Sequence, residues 1–309
     1  MEEKDIIDRL IKNDTLFNDI YVINQKFDIV PSEKEHYGVS IDYQDIQELR
    51  DDFLNDLLDT IVEWVYDSEK YIELKNCELS KNKSESTAAS TVQRKAKQKF
   101  RKGTDDNLLV QGQFGELLLF HFIQKFMHAI PLLRKMKITT SSQHERFGAD
   151  AIHYKVEGSK NIIILGEAKT YSSKYKFKSA FEDAIVSILN TYKTHRDELD
   201  LYLHEDFLDS EMDKIAEAYL DKTLKNVEVR LVSIVVYNET KKINLNTEDK
   251  IREQIQQIIE ERYKEFDNTK IDMVNNPILE RITYIVFPIW KLEELIKEAK
   301  EQSDSAKIK

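Results

Sequence analysis

NIIILGEAKTY, residues 161–171, sets four large apolar side chains in a row and then, after one glycine, a glutamate and a lysine two positions apart. The run Ile162, Ile163, Ile164 and Leu165 is short and rich in β-branched residues, so it reads as a strand buried on both faces, the kind that lies inside a sheet with helices above and below. Positions i and i+2 of a strand share a face. Glu167 and Lys169 therefore project together while Ala168 points the other way. The expectation is an ion pair at the rim of a core, where charge is costly unless it is compensated.

The elements around this strand follow from the same kind of pattern. ADAIHYKV, residues 149–156, reads as the strand before it, joined by EGSK with Gly158 in a hairpin. Upstream, QGQFGELLLFHFIQKFM (111–127) is apolar almost all round and reads as a buried helix, ended by Pro131, with KMKITTS (135–141) as a strand. Downstream come a helix in KSAFEDAIVSILNTYKTH, a strand in VRLVSIVVYN, a helix in TEDKIREQIQQIIEERYKEF, a strand in ITYIVFPIW and a last helix. From 111 to 240 the order is α-β-β-β-α-β, an α/β fold.

Residues 1–104 read as a mostly helical, acidic region, with a few extended pieces within residues 1–80, ahead of a second region, 105–309. Its clearest element is IDYQDIQELRDDFLNDLLDTIVEWVY, in which Ile46, Leu49, Phe53, Leu57, Ile61 and Val65 mark one helical face. SKNKSESTAAS (80–90) is polar and serine-rich and opens a linker over 80–104. Within it RKAKQKFRK (94–102) carries six cations and no anion, which suits either a phosphate-contacting arm or an exposed charged helix.

The chain of 309 residues is 41% apolar, enough for a sizeable core. One cysteine, Cys77, excludes an internal disulfide and a cysteine zinc cage. The opening MEEKDIIDRL lacks the pattern of a signal peptide, and no run approaches the ~18 apolar residues of a membrane span, so the expected location is the cytoplasm. The net charge of −11 argues against a nucleic-acid partner, but it is unevenly spread. Residues 1–70 hold 7 basic and 19 acidic side chains, residues 71–200 hold 22 and 15, and residues 201–309 hold 17 and 23. The middle alone is basic, and the opening strand lies in it.

Two further acids stand out by isolation. Glu116 is the only charged residue between Asp106 and Lys125, and Glu167 is the only one between Lys160 and Lys169. A buried carboxylate must protonate or face a cation. Asp150 heads the strand before Glu167, and a hairpin brings the start of one strand beside the end of the next. Three carboxylates and one ammonium would converge, a set suited to metal-assisted hydrolysis of a phosphodiester. Magnesium takes hard oxygen ligands, and a lysine beside it can hold an attacking water or stabilise developing charge.

At this point the sequence resembles the PD-(D/E)XK nucleases: Asp150, sixteen residues, then Glu167-Ala168-Lys169 at a strand end, with Glu116 on the preceding helix. FGELLLFHFI, RFGADAIHY and ILGEAKTY together resemble, over roughly residues 105–290, the HamA family, nuclease subunits of the Hachiman anti-phage system. The resemblance implies a restriction-endonuclease-like core with a mixed central sheet flanked by helices. It implies Asp150, Glu167, the Ala168 carbonyl and Glu116 as ligands of Mg²⁺ (Mn²⁺ may substitute), and Glu116, Asp150, Glu167 and Lys169 as the catalytic set. It also implies DNA as substrate and a partner helicase, HamB-like, that supplies ATP-driven work. Ala149 stands where the family name has proline.

The bare pattern recurs at Asp59 with Glu73-Leu74-Lys75 and at Asp221 with Glu239-Thr240-Lys241, but neither has both a long buried strand and a preceding helix with an isolated acid. Lys174, Lys176 and Lys178 follow the motif and suit DNA phosphates, or equally a solvated loop. His144 and His195 fit no metal spacing and suit surface or capping roles. No Walker loop, Gly-x-Ser-x-Gly elbow, His-Glu-x-x-His or cysteine nucleophile signature occurs. Two other readings stay open: an adaptor that keeps the fold without catalysis, and a sequence-specific restriction endonuclease.

Overall fold

The computed structural model describes residues 15–99, 107–133, 148–172, 177–203 and 210–305. The first element is a short helix, α1 (Thr15–Asn18), followed by strands β1 (Ile20–Gln25) and β2 (His36–Ile41) and a small hairpin of β3 (Tyr43–Gln44) and β4 (Gln47–Glu48). Helices α2 (Arg50–Asp59), α3 (Ile61–Val65), α4 (Ser68–Leu79), α5 (Glu85–Lys99) and α6 (Asn107–Met127) come next. Then follow β5 (Ile130–Leu133), β6 (Ala151–Glu157), β7 (Lys160–Tyr171), α7 (Phe177–Tyr202), α8 (Ser210–Leu220), β8 (Val227–Glu239), α9 (Glu248–Glu265), β9 (Ile282–Trp290) and α10 (Leu292–Ser305).

Seven strands form one mixed sheet in the order β1-β2-β9-β8-β7-β6-β5. The central four, β2, β9, β8 and β7, are mutually parallel, and antiparallel strands close both edges. The isoleucine run in β7 is buried on both sides as its composition requires. Ile163 and Leu165 join the cluster that holds Ala184 and Ile188 of α7 and Ile259 of α9. Ile162 and Ile164 join the opposite cluster, with Leu118 and Ile123 of α6 and Leu295 of α10. Each such side chain contributes about 1.5–3 kcal/mol on burial, so β7 is a stiff mount for whatever stands at its end.

Several expectations need correction. The extended pieces of the amino-terminal region are not peripheral to the second region: IYVINQ and HYGVSI are β1 and β2, paired from Ile20–Ile41 to Gln25–His36 and joined to its sheet through β9. The long helix expected over 41–66 begins only at Arg50, because Asp45 adopts a left-handed backbone (φ 56°) that turns β3 into β4. Ile46, assigned to its buried face, is 46% exposed in that turn. The stretch 80–90 is no linker. Ser84 accepts the backbone N–H of Thr87 and starts α5, whose Ala88, Val92 and Ala96 form a buried stripe four residues apart. Lys95 of the basic run is drawn inward with Lys81 and Lys83 onto the buried Glu78, which ties α5 to α4.

The order α6-β5-β6-β7-α7-α8-β8 matches the expected one with α8 added. The first described strand is IPLL, and the expected strand KMKITTS lies outside the described residues. Pro131 sits inside β5, an edge strand, where a missing N–H is tolerated. Among the described residues no helix is long and apolar enough to cross a membrane.

Candidate active site

β6 and β7 pair antiparallel from Glu157–Lys160 to Ala151–Gly166, turned by Gly158 at φ 59°. The register carries Asp150 to the level of Glu167, on the same face of the sheet. β6 ends there, but β7 runs on for five residues with, among the described residues, only β8 paired beside it. The Asp150 side chain replaces the lost strand: its backbone N–H donates to the Gly166 carbonyl at 3.1 Å, and its Oδ2 accepts the Ala168 N–H at 2.9 Å. Backbone groups of alternate strand residues face the same edge, so the Ala168 carbonyl also points to the side that β6 has vacated.

Odd-numbered residues of β7 face α7. Glu167 is 4% exposed and is held from two sides: Lys169 Nζ donates to its Oε1 at 2.9 Å, and Thr191 Oγ1 of α7 donates to its Oε2 at 3.2 Å. Ser187 lies one turn before Thr191 on the same helix and favours the ionised form of this carboxyl group. Burial and then the Asp150 charge raise the pKa of Glu167, and Lys169 and Ser187 only partly offset them. For Lys169 burial works against the charge, but Glu167, Asp150 and Asp183 outweigh it and raise the pKa. The ammonium is therefore fixed, and the Glu167 carboxyl is the group that lacks enough positive charge.

Even-numbered residues of β7 face α6. Gly115 of α6 packs so closely against Thr170 that an added Cβ would collide with its hydroxyl oxygen, while the Ala168 Cβ would lie in ordinary contact. Gln111 donates to the Thr170 carbonyl at 2.5 Å. Glu116, half-buried, follows this contact, on the helix that covers the other face of the sheet from Glu167. Among the described residues no three His, Cys, Asp or Glu side chains stand close enough to hold a metal ion. The structure thus brings Asp150, Glu167 and Lys169 together and leaves Glu116 outside that group. The donor chemistry still fits a hard cation, since two carboxylates face each other, one is buried with a raised pKa, and a carbonyl is directed into the same gap.

The remaining expectations divide. Lys178 is exposed in the first turn of α7, whereas Lys174, Lys176 and His144 lie outside the described residues. His195 is not a surface residue: it is buried, with Nδ1 against the Tyr192 carbonyl and Nε2 against the Tyr219 hydroxyl, both at 2.7 Å, and it fastens α7 to α8. Glu239 of the rejected third pattern is a structural acid, bound by Nε and Nη2 of Arg262. Reading the sequence missed Thr191, Ser187 and Glu198. Glu198 is buried and accepts the Ala149 N–H at 2.7 Å, next to Asp150. The available signal was that hydroxyls interrupt the apolar stripe Ala180, Ala184 and Ile188 of α7.

The HamA family model matches residues 15–303, nearly the whole chain. No curated protein is detectably similar to it.

Proposed function

Because the chain belongs to the HamA family and so to Hachiman anti-phage defence, we propose that it is the DNA-cutting subunit, a Mg²⁺-dependent deoxyribonuclease on a PD-(D/E)XK core. The observation that carries the reading is the Asp150–Glu167–Lys169 group at the point where β6 ends and β7 continues. Asp150 and Glu167, with the Ala168 carbonyl, would hold the metal. When bound, it would polarise a phosphodiester and lower the pKa of a coordinated water. Glu116 would complete the set if α6 or its side chain shifts on loading.

The chain's own residues have separable tasks. Asp150 accepts the Ala168 N–H with Oδ2, which helps to fix its carboxylate plane beside the gap. Glu167, paired with a proton or Lys169 in the free chain, would exchange that partner for the cation. Lys169 keeps its charge, because three carboxylates raise its pKa. It is suited to hold a water or an anionic oxygen by hydrogen bonding rather than to act as a neutral base. The basic middle of an acidic chain supplies a local phosphate field, and Lys174, Lys176 and Lys178 would lie along the DNA. Weak binding by so acidic a chain fits dependence on a helicase partner, HamB-like, that delivers DNA.

Plasmid DNA incubated with Mg²⁺ or Mn²⁺, the chain and the helicase of the same system tests this. The natural chain should degrade DNA to a smear, and Glu167→Ala or Lys169→Ala should lower the rate by about 10²–10³. Equal degradation by natural and substituted chains would refute the assignment; DNA left intact by the natural chain would favour the adaptor, and discrete bands the restriction enzyme.

A further inference from the structure

Asp183, Ser187, Thr191 and Glu198 recur at four- and seven-residue intervals along α7 and so lie on one stripe. Each contacts the motif or its flank. Asp183 accepts the Tyr171 hydroxyl, Thr191 donates to Glu167, whose ionised form Ser187 also favours, and Glu198 accepts the Ala149 N–H. The Glu198 carboxylate lies against the backbone just before Asp150: a Cβ on Gly148 would collide with it. Gly148 is the residue type that permits this approach.

We infer that Thr191 and Glu198 are positioning residues that set the two facing carboxylates at the spacing a divalent cation requires. Thr191 holds Oε2 of Glu167 from α7, the contact that stays in place when a cation takes over Oε1 from Lys169. Glu198 fixes the peptide at Ala149 and with it the direction in which Asp150 leaves the backbone. One helix thus sets both acids, although they come from different strands. The inference rests on the metal site proposed above.

The test is Mn²⁺ titration of the full chain by calorimetry, with no DNA present, alongside thermal melting. Thr191→Val, close to threonine in size but without the hydroxyl, should weaken Mn²⁺ binding about ten- to hundredfold. Thr191→Ser should restore it. Glu198→Ala should weaken binding by a similar factor, and Glu198→Gln, which keeps an acceptor for the Ala149 N–H, should recover most of it. Melting points of the Thr191 pair should match, because a purely structural role would move stability and leave the affinity of the folded chain unchanged. Parent-like Mn²⁺ affinity in both Thr191→Val and Glu198→Ala would overturn the inference while leaving the metal site in place. A parent chain that binds no Mn²⁺ would overturn both.

Discussion

Gly166→Ala probes how tightly α6 seats on the strand that carries Glu167. A Cβ at Gly166 would lie 2.8 Å from Ile123 Cδ1, 2.9 Å from Leu119 Cδ2 and 3.1 Å from the Ala151 Cβ on the neighbouring strand. Ile123 is fully buried and Leu119 equally so, so neither methyl can swing into solvent, and Ala151 is fixed by the β6–β7 register. Overpacking a filled core costs about 1–3 kcal/mol. Alanine recovers roughly 0.5–1 kcal/mol through the smaller entropy of the unfolded chain. A net loss of about 1–2 kcal/mol follows, read as a lower urea midpoint at an unchanged m-value. Ile123→Val removes the nearest methyl and alone costs about 0.5–1.5 kcal/mol. The double variant should therefore be more stable than the sum of the single losses, by at least about 0.5 kcal/mol. A Gly166→Ala chain as stable as the parent, or strict additivity with Ile123→Val, would refute the close seating of α6.

Other expected outcomes concern charge. Burial, and then Asp56 and Asp52, raise Asp19 from 3.8 to about 6. A raised carboxyl in the fold keeps its proton longer than in the unfolded chain, so stability is lost as pH rises through that window and the loss is complete near neutrality. The full shift would be worth roughly 3 kcal/mol, but Asp19 is half-buried and screening reduces this to about 1 kcal/mol. Asp19→Asn should raise stability by that amount at neutral pH and lose the advantage below about pH 4 in urea titrations. Arg262→Ala should cost about 3–5 kcal/mol by the same titration, because it strands the Glu239 carboxylate, whose side chain is 0% exposed. Since burial and Asp150 raise Glu167, protons should compete with the cation, and Mn²⁺ affinity should fall with acidification well before the ordinary carboxylate range is reached. Affinity independent of pH across that range would contradict the assignment of Glu167 as a ligand.

What could be read from sequence was whatever rests on long apolar runs. β7, β8 and β9 are continuous β-branched segments that allow one interpretation, and the meeting of Asp150 with Glu167 follows from a two-residue hairpin turn at Gly158. β1 and β2 were obscured because IYVINQ and HYGVSI show neither strict alternation nor a long apolar run, and the sheet partner is β9, some 250 residues away. The false helix start at Ile46 arose because a hairpin turn happened to carry apolar residues at helical spacing. At residues 80–90 small alanines did the core-facing work that larger apolar residues usually signal. Thr191 and Glu198 were out of reach for a different reason: their meaning depends on how α7 is rotated over β7, a tertiary quantity that no local pattern encodes. Glu116 shows the converse limit, since an isolated acid in a buried helix is conspicuous in sequence yet lies on the helix opposite Glu167.

Crystals of the natural chain soaked in Mn²⁺ give the most direct measurement, through anomalous scattering. The account predicts a single strong peak in the gap beside the end of β6, within coordination distance of the Asp150 and Glu167 carboxylates and absent from Glu167→Ala crystals. A peak elsewhere with none at this gap, or a gap still closed by the Lys169–Glu167 pair at saturating Mn²⁺, would contradict it.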